Sequence, residues 1–254
     1  MAPVSGDDQM AEEPDCDDRE ASDDAAGVEG GVDRVSVFID GQNLFKAVNR
    51  RYGARVHPLL LGRELAGDRE LAVVRYYSGI HDPEENASMH DLVRRRHDLM
   101  VRTGVEVTER QLRYHWEWKI DDRLPRPWSD EGPDRRKASV RRRRASREKG
   151  IDVALALDAV AAAFTDECDV VIIVSRDRDL MEIADEINAR CETSAVRVEV
   201  AYAIERSDGV DGAPLARYEG VQIIEEDLVE RCRDRFDYRR RLDASEVDRF
   251  LASL

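Results

Sequence analysis

Cysteine is scarce in this 254-residue chain and poorly placed for pairing: Cys16, Cys168, Cys191 and Cys232 stand far apart, with no C-x-x-C among them. A disulfide framework and a thiol-rich zinc site are both disfavoured, and reduced thiols in the cytoplasm fit better. Long apolar runs are missing too. The longest, Val153 to Phe164, is interrupted by Asp158 and is too short to cross a bilayer, so no membrane partner is expected. The chain does not open with a basic segment followed by an apolar one, the pattern of a secretory signal. The patterns G-x-x-x-x-G-K-[ST], G-x-G-x-x-G and G-x-S-x-G are absent, which removes nucleotide cradles and a nucleophilic serine elbow. His57, His81, His90, His97 and His115 lie away from the acidic signals. No internal repeat is visible.

Charge is abundant and unevenly spread. Of the formal net charge of −15, residues 1–33 carry −11 through twelve acids and one base, leaving −4 for the remainder. Low hydrophobicity and like charge predict a disordered acidic tail over 1–33. The opposite sign gathers between Arg135 and Lys149, where nine bases, among them Arg141, Arg142, Arg143 and Arg144, meet one acid, Glu148, for a local +8. Such a run is either a solvated loop or a phosphate-binding arm whose affinity falls with salt through counterion release. Tyr114, Trp116, Trp118 and Trp128 precede it. They suit stacking on unpaired bases or the core of a small hairpin, and the sequence does not choose between these.

Outside the tail and this basic, aromatic insertion at 111–149, strands and helices alternate. Val35–Ile39 reads as a strand buried on both faces, and Gly41 turns it into a helix from Leu44 to Tyr52. Residues 54–70, with Pro58 and two glycines, read as a mixed connection. Strands follow at 71–78 and 105–108, with a long polar helix over 83–102 between them. An Ala-rich helix spans 151–164, the strand Asp169–Ser175 is the clearest in the chain, and 180–189 and 196–201 continue the alternation. That rhythm predicts an α/β fold with a mostly parallel central sheet flanked by helices. Residues 206–254 supply an edge strand at 221–224, a helix from Asp227 to Arg241 and a short amphipathic helix packed on the same domain. The last helix, with Val247, Phe250 and Leu251, covers a sheet edge or groove, a homodimer contact being the alternative.

Asp40, Asp177 and Asp179 all follow apolar strands, and Asp152 opens the helix that feeds the last of them. If the strands ending in Asp40 and Ser175 are neighbours at the switch point of the sheet, these acids meet in one cleft. Like charges so placed repel, and a divalent cation relieves them. Oxygen donors without clustered His or Cys point to Mg²⁺ or Mn²⁺ and to a phosphate-bearing substrate attacked by water. Each acid also has a plain structural role: Asp40 and Asn43 suit a turn and helix cap, and Asp152 a helix N-terminus.

Three segments, Ile39-Asp40-Gly41-Gln42-Asn43-Leu44, Glu148-Lys149-Gly150-Ile151-Asp152 through Asp158, and Val174-Ser175-Arg176-Asp177-Arg178-Asp179-Leu180, resemble in order and spacing the three motifs of the NYN domain, a family of PIN-like nucleases. The resemblance covers about residues 34–205. It implies a PIN-like Rossmannoid fold and metal-dependent ribonuclease cleavage leaving a 5′-phosphate, with RNA, single-stranded or structured, as partner. Asp40, Asp152, Asp177 and Asp179 fall on the family's acidic metal-binding positions, Asn43 on the polar residue that orients the first acid or the substrate, and Asp158 on a recurrent acid. Ser175 supports the metal loop. Arg176 stands where the family carries a small residue, and altering the loop, pairing with a carboxylate and gripping phosphate are all open to it.

The leading reading is therefore a metal-dependent endoribonuclease in which Lys149, Arg176, Arg178 and the run Arg141–Arg144 contact phosphates. A non-catalytic RNA-binding or regulatory protein is the alternative, and a D-x-D phosphatase is disfavoured because Asp40-Gly41-Gln42 lacks the second acid. The opposed charges of −11 and +8 further suggest that the tail screens the basic run. Deleting residues 1–33 is expected to tighten RNA binding at low salt, read by fluorescence anisotropy, and an unchanged affinity would dispose of the screening idea.

Overall fold

A computed structural model describes residues 31–120, 140–190, 196–203 and 218–254. The acidic tail over 1–30, Trp128 and the 205–217 part of the predicted loop lie outside the described residues. Residues 32–254 form one compact unit. Its sheet has six parallel strands: β1 (Arg34–Asp40), β2 (Glu70–Ile80), β3 (Glu106–Gln111), β6 (Val170–Val174), β7 (Arg197–Tyr202) and β8 (Gly220–Ile223), in the order β3-β2-β1-β6-β7-β8. A separate antiparallel hairpin joins β4 (Arg113–Ile120) to β5 (Val140–Arg147). Helices α1 (Gly41–Tyr52), α2 (Pro58–Ala66), α3 (Pro83–Arg102), α4 (Ile151–Phe164), α5 (Glu182–Arg190), α6 (Glu226–Arg231) and α7 (Ala244–Ala252) complete the chain. This is the α/β arrangement, a parallel central sheet flanked by helices, that the alternation of apolar runs predicts.

Two apolar layers sandwich the sheet. Alternate residues of β1 serve different sides: Val35, Val37 and Ile39 pack with α1, α2 and α6, while Phe38 packs with α4 and α5. Every residue of β6 is buried, as its unbroken Val-Val-Ile-Ile-Val requires. Because β2 and β3 extend the sheet to one side of β1 and β6 to β8 to the other, the direction in which strands are added reverses between the parallel neighbours β1 and β6. The pairing of Ile39 with Val174 brings Asp40 and Ser175 side by side at the carboxyl edge of that switch.

Three expectations need correction. Residues 58–66 are helical, because Pro58 sits at a helix N-terminus, where its missing N–H costs nothing. Gly62 there marks close packing rather than a loop, since a Cβ would fall 2.5 Å from Val74 Cγ2. The helix expected from Asp227 to Arg241 stops at Arg231. The chain then pairs with residues 55–57, through His57 N–H donating to the Cys232 carbonyl at 2.8 Å and Asp234 N–H to the Arg55 carbonyl at 2.8 Å. Tertiary pairing overrides local propensity at this point. Part of the basic run is regular, for 140–147 is a strand, while 148 and 149 are not. Beyond it, α7 sets Val247 and Phe250 against Leu99, Phe236 and Tyr238.

Two leucines two residues apart on α4 test the layering. Leu155 is fully buried and Leu157 is 65% exposed. Leu155→Ala is expected to lower the unfolding free energy by about 2–5 kcal/mol and Leu157→Ala to change it by less than about 0.5 kcal/mol, both read by urea denaturation.

Candidate active site

Asp40 ends β1 and caps α1, its Oδ1 accepting from the Asn43 N–H at 2.9 Å. Its plain capping role is thus real, and it is only half of what the carboxylate does. Oδ2 accepts from Ser175 Oγ at 3.1 Å, a bond that joins the ends of the two neighbouring strands. Ser175 Oγ accepts in turn from the Asp177 N–H at 3.1 Å, and Asp177 Oδ1 from the Asp179 N–H at 3.1 Å. Asn43 Oδ1 closes the network by accepting from the Arg176 N–H at 3.1 Å. Gly41 is required by proximity, since a Cβ there would sit 2.4 Å from Tyr76 Cζ and 2.7 Å from the Tyr77 carbonyl oxygen.

These loops and the start of α4 enclose a cleft of about 750 Å³. Asp40, Glu148, Asp152 and Asp177 supply its acids, and Lys46, Arg50, Arg147 and Arg176 its bases. The acids act on one another. Asp40, 5% exposed, has its carboxyl pushed above the ordinary range by burial. The Asn43 N–H and Ser175 hydroxyl pull it back, and the charges of Asp152 and Asp177 raise it again. Asp152 is raised by partial desolvation and then by Asp177 and Asp179. Glu148 is pushed up to about 7 by desolvation and by the charges of Asp40 and Asp152. Its Oε1 is shielded from solvent without a hydrogen-bond partner.

Of the acids singled out in the sequence, Asp40, Asp152 and Asp177 line one cleft. Asp179 is exposed on the turn Arg178–Met181, outside the lining yet near enough to raise Asp152. Asp158 does not line the cleft and accepts from the Tyr77 hydroxyl at 2.7 Å, tying α4 to β2. Arg176 lines the cleft with its guanidinium 5.8 Å from the centre of the Tyr202 ring, whereas Lys149 and Arg178 are exposed and are not among its lining residues. Arg142, Arg143 and Arg144 stand on β5, and the side chain of Arg141 lies outside the described residues. Glu148 was missed by sequence reasoning. As a lone acid in a basic run, four residues before Asp152, it could have been noticed as out of place.

Among the described residues no three His, Cys, Asp or Glu side chains stand close enough to share one ion. The donors nevertheless suit a hard dication in kind: they are carboxylate oxygens, and the charge of each makes its neighbour harder to ionise. Comparison with known proteins agrees with the motifs. The model of the NYN domain matches residues 34–209. No curated protein matches. A crystal structure of a protein of unknown function from Vibrio parahaemolyticus aligns at 19% identity with a TM-score of 0.48, over 77% of this chain and 95% of that one.

Glu148 gives stability a pH dependence of definite sign. From about pH 4.5 to about 7 the folded protein holds a proton that the unfolded chain releases, so stability falls as pH rises through that window. In EDTA, Glu148→Gln is expected to melt at a higher temperature than the parent near neutral pH and to converge with it near pH 4. Parallel melting curves at all pH values would contradict the assignment.

Proposed function

The chain belongs to the NYN domain family, and from that premise we propose that it is a metal-dependent endoribonuclease, hydrolysing RNA phosphodiester bonds with Mg²⁺ or Mn²⁺. One observation carries the reading: Asp40 and Asp177 are bridged by Ser175 across the β1–β6 switch and open onto the same cleft as Asp152. Asp40, Asp152 and Asp177 are the residues that would hold the ion, with Asp179 beside them. A bound dication would polarise the phosphoryl oxygens and lower the pKa of an attacking water. This chain's own groups do the rest. Asn43 and Ser175 fix the Asp40 carboxylate on both oxygens, so its orientation is set before substrate arrives. Arg147 and Arg176 on the cleft wall offer planar cations to the phosphates on either side of the cut bond, and Arg178, Lys149 and the β5 arginines extend that field.

A cytoplasmic setting is supported by Cys168 and Cys232, both free and buried. Among the described residues no helix is long and apolar enough to cross a membrane. A second reading, an RNA-binding protein without catalysis, is favoured by one fact: the described acids are not gathered tightly enough to share an ion.

End-labelled RNA incubated with purified protein in EDTA, Mg²⁺ and Mn²⁺ separates the two. Dication-dependent cleavage with 5′-phosphate ends is expected, abolished in Asp40→Asn and Asp177→Asn and reduced about 10–100-fold in Ser175→Ala, with unchanged circular dichroism. RNA binding without cleavage under every dication would decide for the second reading.

A further inference from the structure

Strands β4 and β5 pair with Trp116 opposite Arg144, Trp118 opposite Arg142 and Tyr114 opposite Ser146. Side chains alternate along a strand, so Tyr114, Trp116 and Trp118 share one face with Arg142 and Arg144, and Glu117 and Arg143 fall on the other. This face is not core. Trp116 is 52% exposed and Trp118 72%. The Arg142 guanidinium stands 4.7 Å from the Trp116 ring centre, and Arg144 stands 5.4 Å from Trp116 and 5.7 Å from Tyr114.

The inner end of the hairpin is tied to the domain. Tyr114 OH bonds His81 Nδ1 at 2.6 Å, and Arg144 Nε donates to Glu85 Oε2 at 2.7 Å at the start of α3. Just past the inner end, Ser146, Arg147 and Glu148 line the acidic cleft. From Ser146 out to Arg142 the face runs about 13 Å at the rise of a β-strand.

Resting on the nuclease reading, the geometry points to a specific substrate class: this face is a stacking arm for unpaired nucleotides that continue from the strand in the cleft. Trp116 and Trp118 offer π-faces that a free base can cover, and a base already stacked within a duplex cannot. Arg142 supplies a cation beside those rings for the phosphates between the bases, while Arg144 is held by Glu85 at the inner end. Of the acids near the hairpin, Glu117 points away and is held 3.4 Å from Arg143, and Glu85 is paired with Arg144 at the inner end. That leaves the outer part of the face, Trp118 and Arg142, with no acid of the paired strands on it. The arm thus selects single-stranded over double-helical RNA, and its reach suits a few nucleotides to one side of the cleavage point.

The test reads binding, apart from catalysis. Full-length protein in EDTA is titrated into labelled 12-nucleotide oligouridine and, separately, a 12-base-pair RNA duplex, with anisotropy and tryptophan fluorescence recorded. Trp118→Ala and Trp116→Ala are each expected to weaken oligouridine binding about 5–150-fold while leaving duplex binding unchanged, and Trp118→Phe to restore most of the loss. Arg142→Ala is expected to flatten the salt dependence, which the tryptophan variants leave intact. Equal oligouridine affinity in the alanine variants, or an equal loss on the duplex, overturns the arm. The two readings fail separately. Weakened oligouridine binding without cleavage under any dication sinks the nuclease and keeps the arm, and dication-dependent cleavage with unaffected binding does the reverse.

Discussion

The hydrogen bond from Ser175 Oγ to Asp40 Oδ2 joins the ends of two adjacent parallel strands at the point where the sheet changes direction. Everything at the carboxyl edge is arranged around the burial of that one carboxylate. Charge buried without partners costs several kcal/mol, and hydrogen bonds to an ionised group return about 1.5–3 kcal/mol each. Asp40 receives two, one on each oxygen, from an amide in its own turn and a hydroxyl from the next strand. Gly41 makes this affordable in space, since any side chain would strike Tyr76 and the Tyr77 carbonyl. With both oxygens fixed, Asp40 keeps its direction while Asp152 and Asp177 bring further negative charge against it.

Such a site holds unfavourable electrostatics by design of its position. Asp40, Glu148 and Asp152 all have carboxyls displaced upward, first by burial and then by neighbouring acids. Asp152 and Asp177 act on Asp40, Asp40 and Asp152 on Glu148, and Asp177 and Asp179 on Asp152. Bases are close at hand: Lys46 donates to Gln42 Oε1 at 2.6 Å and its charge pulls the Glu148 carboxyl back down, and Arg176 lies over Tyr202. The cleft lining carries both signs of charge. A dication among its acids and a phosphodiester against its bases would complement both at once, whereas a polyanion alone would meet repulsion from the acids.

Much of this was readable in the residues. Unbroken apolar runs marked β1 and β6, and their termination in Asp40 and Ser175 located the edge, because a strand buried on both faces admits a carboxylate only where it ends. What the runs could not convey was tertiary context. Pro58 and Gly62 read as breakers, although one starts α2 and the other lets it lie against Val74. Residues 232–241 have helical composition, and pairing with 55–57 takes them out of the helix. Alternation in β4 and β5 defines two faces without saying which is wet, so the tryptophans stayed ambiguous until their exposure was known. Glu148 was read as one acid diluting a basic run. Its importance comes from facing Asp40 and Asp152, a matter of folding rather than of spacing.

Arg176 illustrates how a departure from a family pattern is absorbed. A small residue at that place would leave the turn after β6 compact, and a long cation has to go somewhere. Here the backbone N–H of Arg176 donates to Asn43 Oδ1 at 3.1 Å, and the guanidinium reaches over the Tyr202 ring. The turn keeps its tie to Asn43, and the side chain adds a cation to the cleft lining. The hairpin enlarges the same wall from the other side. Inserted just before α4 on the crossover from the β3 edge to the sheet centre, it runs directly into Glu148 and Asp152 through six residues of chain. Strand β5 and two cleft acids thus lie on one short stretch of backbone. A strand bound on the aromatic face would enter the cleft beside those acids.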